Sequence, residues 1–147
     1  MSESDTLELE NQLCFPLYAC SKELVRHYTP LLKQLDLTYT QYITMMVMWE
    51  SRQINVRKLG EMLYLDSGTL TPLLKKLEGK GYVSRERNPQ DERELLVTLT
   101  EKGLQLKDEA AAVPAEVGKC VGLSGQEAQQ LYGLLYKMLG VMNEQKQ

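Results

Sequence analysis

The chain has 147 residues, of which 43% are hydrophobic and 25% charged, and its formal net charge is −3. These values are typical of one folded domain and exclude a disordered chain, a collagen-like chain and a disulfide-stapled miniprotein. No apolar run approaches the ~20 residues of a membrane-spanning helix, and the acidic N-terminus lacks the apolar core of a signal peptide. We therefore expect a cytoplasmic protein with reduced cysteines and no membrane partner.

The charge is unevenly distributed along the chain. Residues 52–87 contain eight Lys or Arg and four Asp or Glu, a net charge of +4, whereas the rest of the chain carries −7. A basic middle between acidic flanks is typical of a surface that faces a polyanion. The same charge distribution is also compatible with an ordinary solvent-exposed surface that binds no polyanion.

Hydrophobic spacing predicts helices over the first half of the chain. Apolar residues recur at helical spacing over residues 11–34, where Pro16 is tolerable in a first turn. A second helix, capped by Thr38 or Thr40, is predicted through residue 49. A short amphipathic helix follows over 56–63. The next helix covers 68–78, with Asp66 or Ser67 as its cap.

The pattern then changes from helical to alternating. Strands are predicted over 82–87 and 94–99, joined by a turn over 88–91. Thr100 caps a helix over 101–112, which Pro114 ends or bends. The residues from Ser124 to Glu127 form a capping box that opens the last helix.

The order helix, break, helix, two-stranded hairpin indicates a winged helix-turn-helix over residues 36–100. The second helix of the pair has four leucines on one face, opposite a small, hydroxylated and basic face that suits the major groove of DNA. In the hairpin, Asp91 could hold the Arg93 guanidinium extended toward the minor groove. Threonines and lysines also occur on any surface helix, and an isolated Asp–Arg pair is commonly an ordinary surface pair. The candidate DNA-binding residues are Asp66, Ser67, Thr69, Thr71, Pro72, Lys75, Lys76, Arg85, Arg87, Asp91 and Arg93.

Three segments carry a resemblance to a known family. Asp91-Glu92-Arg93-Glu94 followed by residues 96–103 resembles the wing signature of the MarR family of transcriptional regulators. Residues 65–75 resemble the recognition helix of one branch, the organic hydroperoxide-resistance regulators (OhrR), and residues 11–15 match its sensing segment. The resemblance covers nearly all of residues 1–147. It implies a mainly α chain with a small β-hairpin wing. It also implies a homodimer joined through helices in 8–35 and 101–145, acting as a repressor at a palindromic operator.

The resemblance also assigns a role to one thiol. It implies that Cys14 is a peroxide-reactive thiolate, which an organic hydroperoxide oxidises to a sulfenic acid, after which the protein leaves its DNA. Tyr18 shares the helix face of Cys14. Tyr28 lies ~21 Å further along a continuous helix and cannot reach Cys14 of its own chain. The family places tyrosines matching Tyr28 and Tyr39 against the thiolate across the dimer interface; simple packing is the alternative.

The partner of the oxidised thiol stays open at this point. Cys20 lies roughly 9 Å from Cys14 along a helix, too far for a disulfide, and we expect it to be a small core residue. In two-cysteine members of the family the matching C-terminal cysteine, here Cys120, bonds the sensing cysteine of the other subunit. Single-cysteine members form mixed disulfides with small thiols instead.

Four other functions are considered. A MarR-type repressor released by a small ligand is the nearest alternative. A thiol peroxidase is disfavoured by the single histidine, His27, and by the absence of a Cys-x-x-Cys pair, so we expect no enzyme activity. The spacing of the cysteines lacks the short ligand pairs of a zinc site, so we expect no metal or cofactor. A winged helix used only for protein contacts is disfavoured by the basic recognition face.

Overall fold

The computed structural model describes residues 5–144. Two short 3₁₀ turns, Asp5–Leu7 and Leu9–Asn11, precede the first helix. The helices are α1 (Cys14–Lys33), α2 (Tyr39–Ser51), α3 (Val56–Leu63), α4 (Ser67–Gly79), α5 (Glu101–Ala110), α6 (Val113–Val121) and α7 (Gly125–Glu144). The strands are β1 (Gln53–Asn55), β2 (Val83–Asn88) and β3 (Asp91–Leu99). The fold is mainly α with a small antiparallel sheet, as the sequence predicts.

The chain divides into two compact units, one ending at Pro114 and the other beginning at Ala115. The first unit contains the helix-turn-helix, the sheet and α5. The second contains most of α6 and all of α7. Among the described residues, no helix is both long and apolar enough to cross a membrane.

The helix starts follow local capping chemistry. Thr38, rather than Thr40, caps α2 in a full capping box with Gln41. Asp66, rather than Ser67, caps α4 and accepts a hydrogen bond from the Thr69 N–H at 2.8 Å. In the predicted box before α7, the Ser124 N–H donates to the Glu127 carboxylate at 3.0 Å. This backbone hydrogen bond is the main cause that lowers the pKa of Glu127, and a hydrogen bond with the Ser124 hydroxyl lowers it further.

Three differences from the predicted boundaries are informative, while the other helix and strand ends lie within two residues of the prediction. The first helix begins at Cys14 rather than at residue 11, because residues 9–11 form a 3₁₀ turn; Pro16 lies in its first turn as expected. Asp91 is the first residue of β3 rather than part of the turn. Pro114 neither ends nor bends a long helix: α5 stops at Ala110, and Pro114 is the second residue of α6, where its missing N–H costs no helical bond.

The sheet contains a strand that the alternating pattern did not indicate. The strand order is β1-β3-β2, both pairings are antiparallel, and β1 pairs Ile54 with Val97. Because β1 has three residues, it is too short to show an alternation of its own. Ile54, Val83 and Val97 are buried and place the inner face of the sheet on the core.

The core of the first unit forms around α2. The side chains of Met45 and Met48 are fully buried, whereas Met46 is exposed. The buried Trp49 donates its indole N–H to the Gly103 carbonyl at 2.8 Å, which fixes the start of α5 on α2. The core therefore holds α2, α4, the sheet and α5 in one geometry and leaves the outer face of α4 exposed.

Candidate nucleic-acid interface and thiol sites

Helix α4 presents the face that the sequence predicts. Its four leucines are buried: Leu70, Leu73, Leu74 and Leu77. Thr69, Pro72, Lys75 and Lys76 are exposed, and Thr71 is half-buried. Ser67 is exposed at the first turn, while the Asp66 carboxylate is engaged in capping. The exposed face is small, hydroxylated and basic.

The Asp–Arg pair of the wing has the geometry expected from the sequence. The Arg93 Nε donates to Asp91 Oδ1 at 3.1 Å, and the backbone N–H of Arg93 donates to the same oxygen at 3.2 Å. The Arg93 side chain is 92% exposed. Arg87 is also exposed, on β2. The carboxylate thus holds one guanidinium in place on an otherwise open wing surface.

Arg85 occupies a different environment from the other two wing arginines. Its backbone N–H donates to Glu78 Oε2 at 3.1 Å, and its guanidinium Nη2 donates to Glu78 Oε1 at 3.1 Å. Its side chain is 18% exposed. Arg85 therefore ties β2 to the C-terminal end of α4, and Glu78 is a partner that sequence reasoning missed.

A second missed residue, Glu94, connects the wing to α3. Its Oε1 accepts a hydrogen bond from the Asn55 side chain at 2.8 Å, and its Oε2 accepts one from the Asn88 side chain at 2.6 Å. Asn55 itself caps α3 by accepting from the Lys58 N–H at 2.6 Å. This network depends on the pairing of β1 with β3. Because the sequence pattern does not reveal that pairing, it does not indicate the network either.

Cys14 is exposed at the first position of α1. Tyr18, one turn further along, is exposed and has the Lys22 ammonium 5.4 Å from its ring centroid. The side chains around them are large, apolar and exposed: Leu13, Phe15 and Leu17. The thiol therefore lies beside an apolar surface that the first unit itself leaves open.

Tyr28 and Tyr39, the other two tyrosines predicted to support the thiolate, lie in the first unit away from Cys14 of the same chain. The ring centroids of Tyr28 and Tyr39 are 4.9 Å apart, and Tyr42, which sequence reasoning missed, lies 5.6 Å from Tyr28. Burial of the Tyr42 hydroxyl is the main cause that raises its pKa, and the neighbouring Tyr39 raises it further. We call Tyr28, Tyr39 and Tyr42 the tyrosine cluster. Because α1 runs unbroken from Cys14 to Lys33, ~21 Å of helix separates Cys14 from Tyr28 within one chain.

The three thiols are exposed, and none is paired in a disulfide within this chain. Cys20 is not the core residue that we expected, because the face of α1 that carries it has no covering element within its unit. Cys14 and Cys20 lie on one continuous helix, which excludes a disulfide between them. Cys120 lies inside α6, a helix that the sequence pattern did not predict, and its Sγ is 2.9 Å from the Val117 carbonyl oxygen.

A cleft of about 310 Å³ opens beside the tyrosine cluster. Its walls mix apolar, hydroxyl and charged side chains: Val25, Thr29, Lys33, Asp36, Leu37, Thr38, Tyr39 and Lys80. Among residues 5–144, no three His, Cys, Asp or Glu side chains are grouped so as to hold a metal ion.

Residues 26–110 match the model of the transcriptional regulator SarA/Rot family. The chain belongs to this family. The organic hydroperoxide resistance transcriptional regulator of Bacillus subtilis (strain 168) is 45% identical over 140 residues, which are 95% of each chain. Members of the family have a MarR-like winged helix and regulate transcription rather than catalyse a reaction, so the chain is a MarR-type transcriptional regulator.

Solved structures support the same assignment. Reduced AbfR bound to DNA is 32% identical, with a TM-score of 0.80 over 99% of this chain and 100% of that one. AbfR is a protein of Staphylococcus epidermidis. Its overoxidised form bound to DNA is 35% identical, with a TM-score of 0.77 over 96% of this chain and 99% of that one. Its disulfide form is also 35% identical, with a TM-score of 0.67 over 95% of this chain and 96% of that one. A mutant MarR of E. coli on operator DNA is 30% identical, with a TM-score of 0.74 over 86% and 93%. The winged-helix prediction is confirmed.

Proposed function

We propose that this regulator is a thiol-based repressor that senses organic hydroperoxides. It binds a palindromic operator as a homodimer and leaves it when Cys14 is oxidised to a disulfide with Cys120 of the partner subunit. The observation that carries the proposal is the exposed Cys14 at the start of an unbroken α1, in a chain 45% identical to an organic hydroperoxide resistance regulator.

The proposed dimer rests on apolar surface that each unit leaves open. In α7 none of the described residues is buried, although it carries large exposed apolar side chains: Leu131, Tyr132, Leu134, Tyr136, Val141 and Met142. Most residues of α1 are likewise exposed. Large apolar side chains exposed in this number mark an interaction surface. A second copy covers them and sets two recognition helices about one DNA turn, ~34 Å, apart.

The proposed interface with DNA is the outer face of α4 and the wing. Thr69, Thr71 and Pro72 offer hydroxyl and methyl groups to base edges, while Lys75 and Lys76 reach guanine or phosphate. Arg93, held by Asp91, enters the minor groove beside Arg87. Asp66 and Arg85 act as positioning residues, since their side chains are engaged with the start and the end of α4.

The proposed chemistry is two successive nucleophilic displacements, the first at the terminal oxygen of the hydroperoxide and the second at the oxidised sulfur. The Cys14 thiolate attacks the terminal oxygen of the hydroperoxide; an S–O bond forms, the O–O bond breaks, and the alkoxide leaves and takes a proton to become an alcohol. Phenol hydroxyls of the partner's Tyr28 and Tyr39, with Tyr18 of the same chain, stabilise the thiolate by hydrogen bonds. The partner's Cys120 thiolate then attacks the sulfenic sulfur, and hydroxide leaves as water once protonated.

The solved forms of AbfR support the disulfide as the releasing state. Overoxidised AbfR is bound to DNA in its structure, as reduced AbfR is. A disulfide form of AbfR also exists, and its fold matches this chain less closely than the DNA-bound forms do. By analogy, oxidation of Cys14 without a bridge leaves this protein on its operator.

The test is fluorescence anisotropy of the operator DNA upstream of the protein's own gene. We expect tight binding by reduced protein, loss after one equivalent of cumene hydroperoxide, and recovery after dithiothreitol. Cys14→Ser should bind and ignore the oxidant, whereas the matched variant Cys20→Ser should respond as wild type does. Tight binding that hydroperoxide leaves unchanged in wild type would overturn the redox mechanism.

The cleft beside the tyrosine cluster supports a second candidate, a MarR-type repressor released by a small ligand. Its volume of about 310 Å³ would hold a small ring compound against its apolar side chains, with Lys33 on the wall for an acidic group. Release by such a compound that persists in Cys14→Ser would favour this second mechanism over thiol oxidation.

A further inference from the structure

Lys80 joins the C-terminal end of the recognition helix to the turn between α1 and α2. Lys80 is the C-cap residue of α4. Its ammonium donates to the backbone carbonyl of Asp36 and lies 3.5 Å from the Asp36 carboxylate. It also donates to Gln41 Oε1 at 3.2 Å. Asp36, with a φ of 55°, is the left-handed residue that turns the chain between the two helices.

The acceptor on Gln41 is part of the α2 capping box. Gln41 Oε1 also accepts the backbone N–H of Thr38 at 3.1 Å, and the Gln41 N–H donates to the Thr38 hydroxyl at 3.3 Å. Gln41 is only 4% exposed. One buried amide oxygen thus bonds both the start of α2 and the end of α4, so the two helix ends cannot separate without breaking a hydrogen bond inside the protein.

The same capping box holds a tyrosine of the cluster. Tyr39 follows Thr38 directly, packs on Tyr28 and lines the cleft whose wall also includes Lys80. A displacement of Tyr39 moves the first turn of α2, because that turn is fixed by the bonds between Thr38 and Gln41. The movement reaches α4 through Lys80, which is tied to the same oxygen.

We propose that Lys80 is the positioning residue that couples the tyrosine cluster to the recognition helix. This inference rests on the proposed redox function. When the disulfide removes Cys14 from the tyrosines of the other subunit, the first turn of α2 shifts and Lys80 carries the shift to α4. Without Lys80, the thiols still react, but the recognition helices keep more of their DNA-binding spacing.

The experiment compares Lys80→Met with Lys80→Arg and Lys33→Met. Lys33 lines the same cleft, and its replacement removes the same charge without touching the end of α4. Operator affinity is measured for the reduced protein and for the disulfide form made with cumene hydroperoxide. Non-reducing gels measure how much disulfide has formed. The ratio of the two dissociation constants reports the coupling.

We expect full disulfide formation in all variants and a ratio about tenfold smaller in Lys80→Met, the equilibrium equivalent of one charge-assisted hydrogen bond. Lys80→Arg and Lys33→Met should keep the wild-type ratio. A wild-type ratio in Lys80→Met, or an equal decrease in Lys33→Met, would overturn the coupling role. If oxidation does not change the affinity of wild type at all, the redox function itself fails, which is a distinguishable result.

Discussion

Gly103 is a position where packing leaves no room for a side chain. A Cβ there would lie 2.2 Å from the Tyr82 carbonyl oxygen and 2.8 Å from Leu99 Cδ1. The backbone of Gly103 also accepts from the Trp49 indole and donates to the Thr100 hydroxyl at 3.0 Å. The glycine near the end of the wing signature is therefore explained by the close approach of α5 to the start of β2.

Replacing Gly103 by alanine should destabilise the fold. We expect Gly103→Ala to lower the free energy of unfolding by about 2–3 kcal/mol, because backbone rather than a flexible side chain must move. Chemical denaturation of the reduced protein measures it. Gly118→Ala is the matched control: nothing lies within 4 Å of a Cβ there, so helix propensity should stabilise it by roughly 0.5–1 kcal/mol. Equal stabilities for both variants would contradict the packing argument.

The two thiols outside the sensing position should behave differently on oxidation. We expect peroxide-treated Cys120→Ser to run as a monomer on non-reducing gels and to stay on its operator, because Cys14 then lacks a thiol to bond. Cys20→Ser makes the same chemical change at another exposed thiol and should form the dimer as wild type does. A covalent dimer in treated Cys120→Ser would refute the proposed bridge.

At the scale of elements, the arginines of the wing lie in different environments. Arg93 projects into solvent beside Asp91, whereas Arg85 is half-buried against Glu78. The sequence places both arginines on the same hairpin and does not distinguish them. The distinction depends on where β2 crosses the end of α4, which brings the Arg85 guanidinium to the Glu78 carboxylate.

The salt dependence of operator binding can separate the roles of Arg93 and Arg85. We expect Arg93→Gln to weaken binding about tenfold and to lower the slope of log K against log salt by about 1, since one DNA-contacting charge is lost. Arg85→Gln should leave that slope unchanged while weakening affinity through a less ordered wing. The assignment is wrong if the slope changes in Arg85→Gln and not in Arg93→Gln.

At the scale of the whole molecule, the apolar faces of α1 and α7 require a covering surface. Leu134, on α7, is exposed in the single chain. We expect Leu134→Glu to sediment as a monomer and to lose operator affinity, because a carboxylate buried in an apolar interface without a partner costs several kcal/mol. Gln129→Glu adds the same charge at a polar position of α7 and should sediment with wild type. A dimeric Leu134→Glu would exclude this face from the interface.

The sequence by itself determined the features that depend on near neighbours. The existence of every helix except α6, the leucine face of α4, the capping residue Thr100 and the Asp91–Arg93 pair all arise from residues within about four positions of one another. Their spacing is visible in the chain because helical and strand periods repeat locally. The boundaries at Cys14 and Pro114 differed by a few residues, since helix ends also depend on the segments that pack on them.

Only the tertiary structure decided the contacts between distant segments. β1 is too short to predict and exists through its pairing with β3. Lys80 meets Gln41 across 39 residues, and Asn55 meets Glu94 across the same separation. Such contacts depend on the path of the whole chain, which hydrophobic burial sets collectively and which no local period encodes. For that reason the sequence predicted the exposed small, hydroxylated and basic face of α4, whereas the hydrogen bonds that hold α4 against α2 and the wing became visible only in the fold.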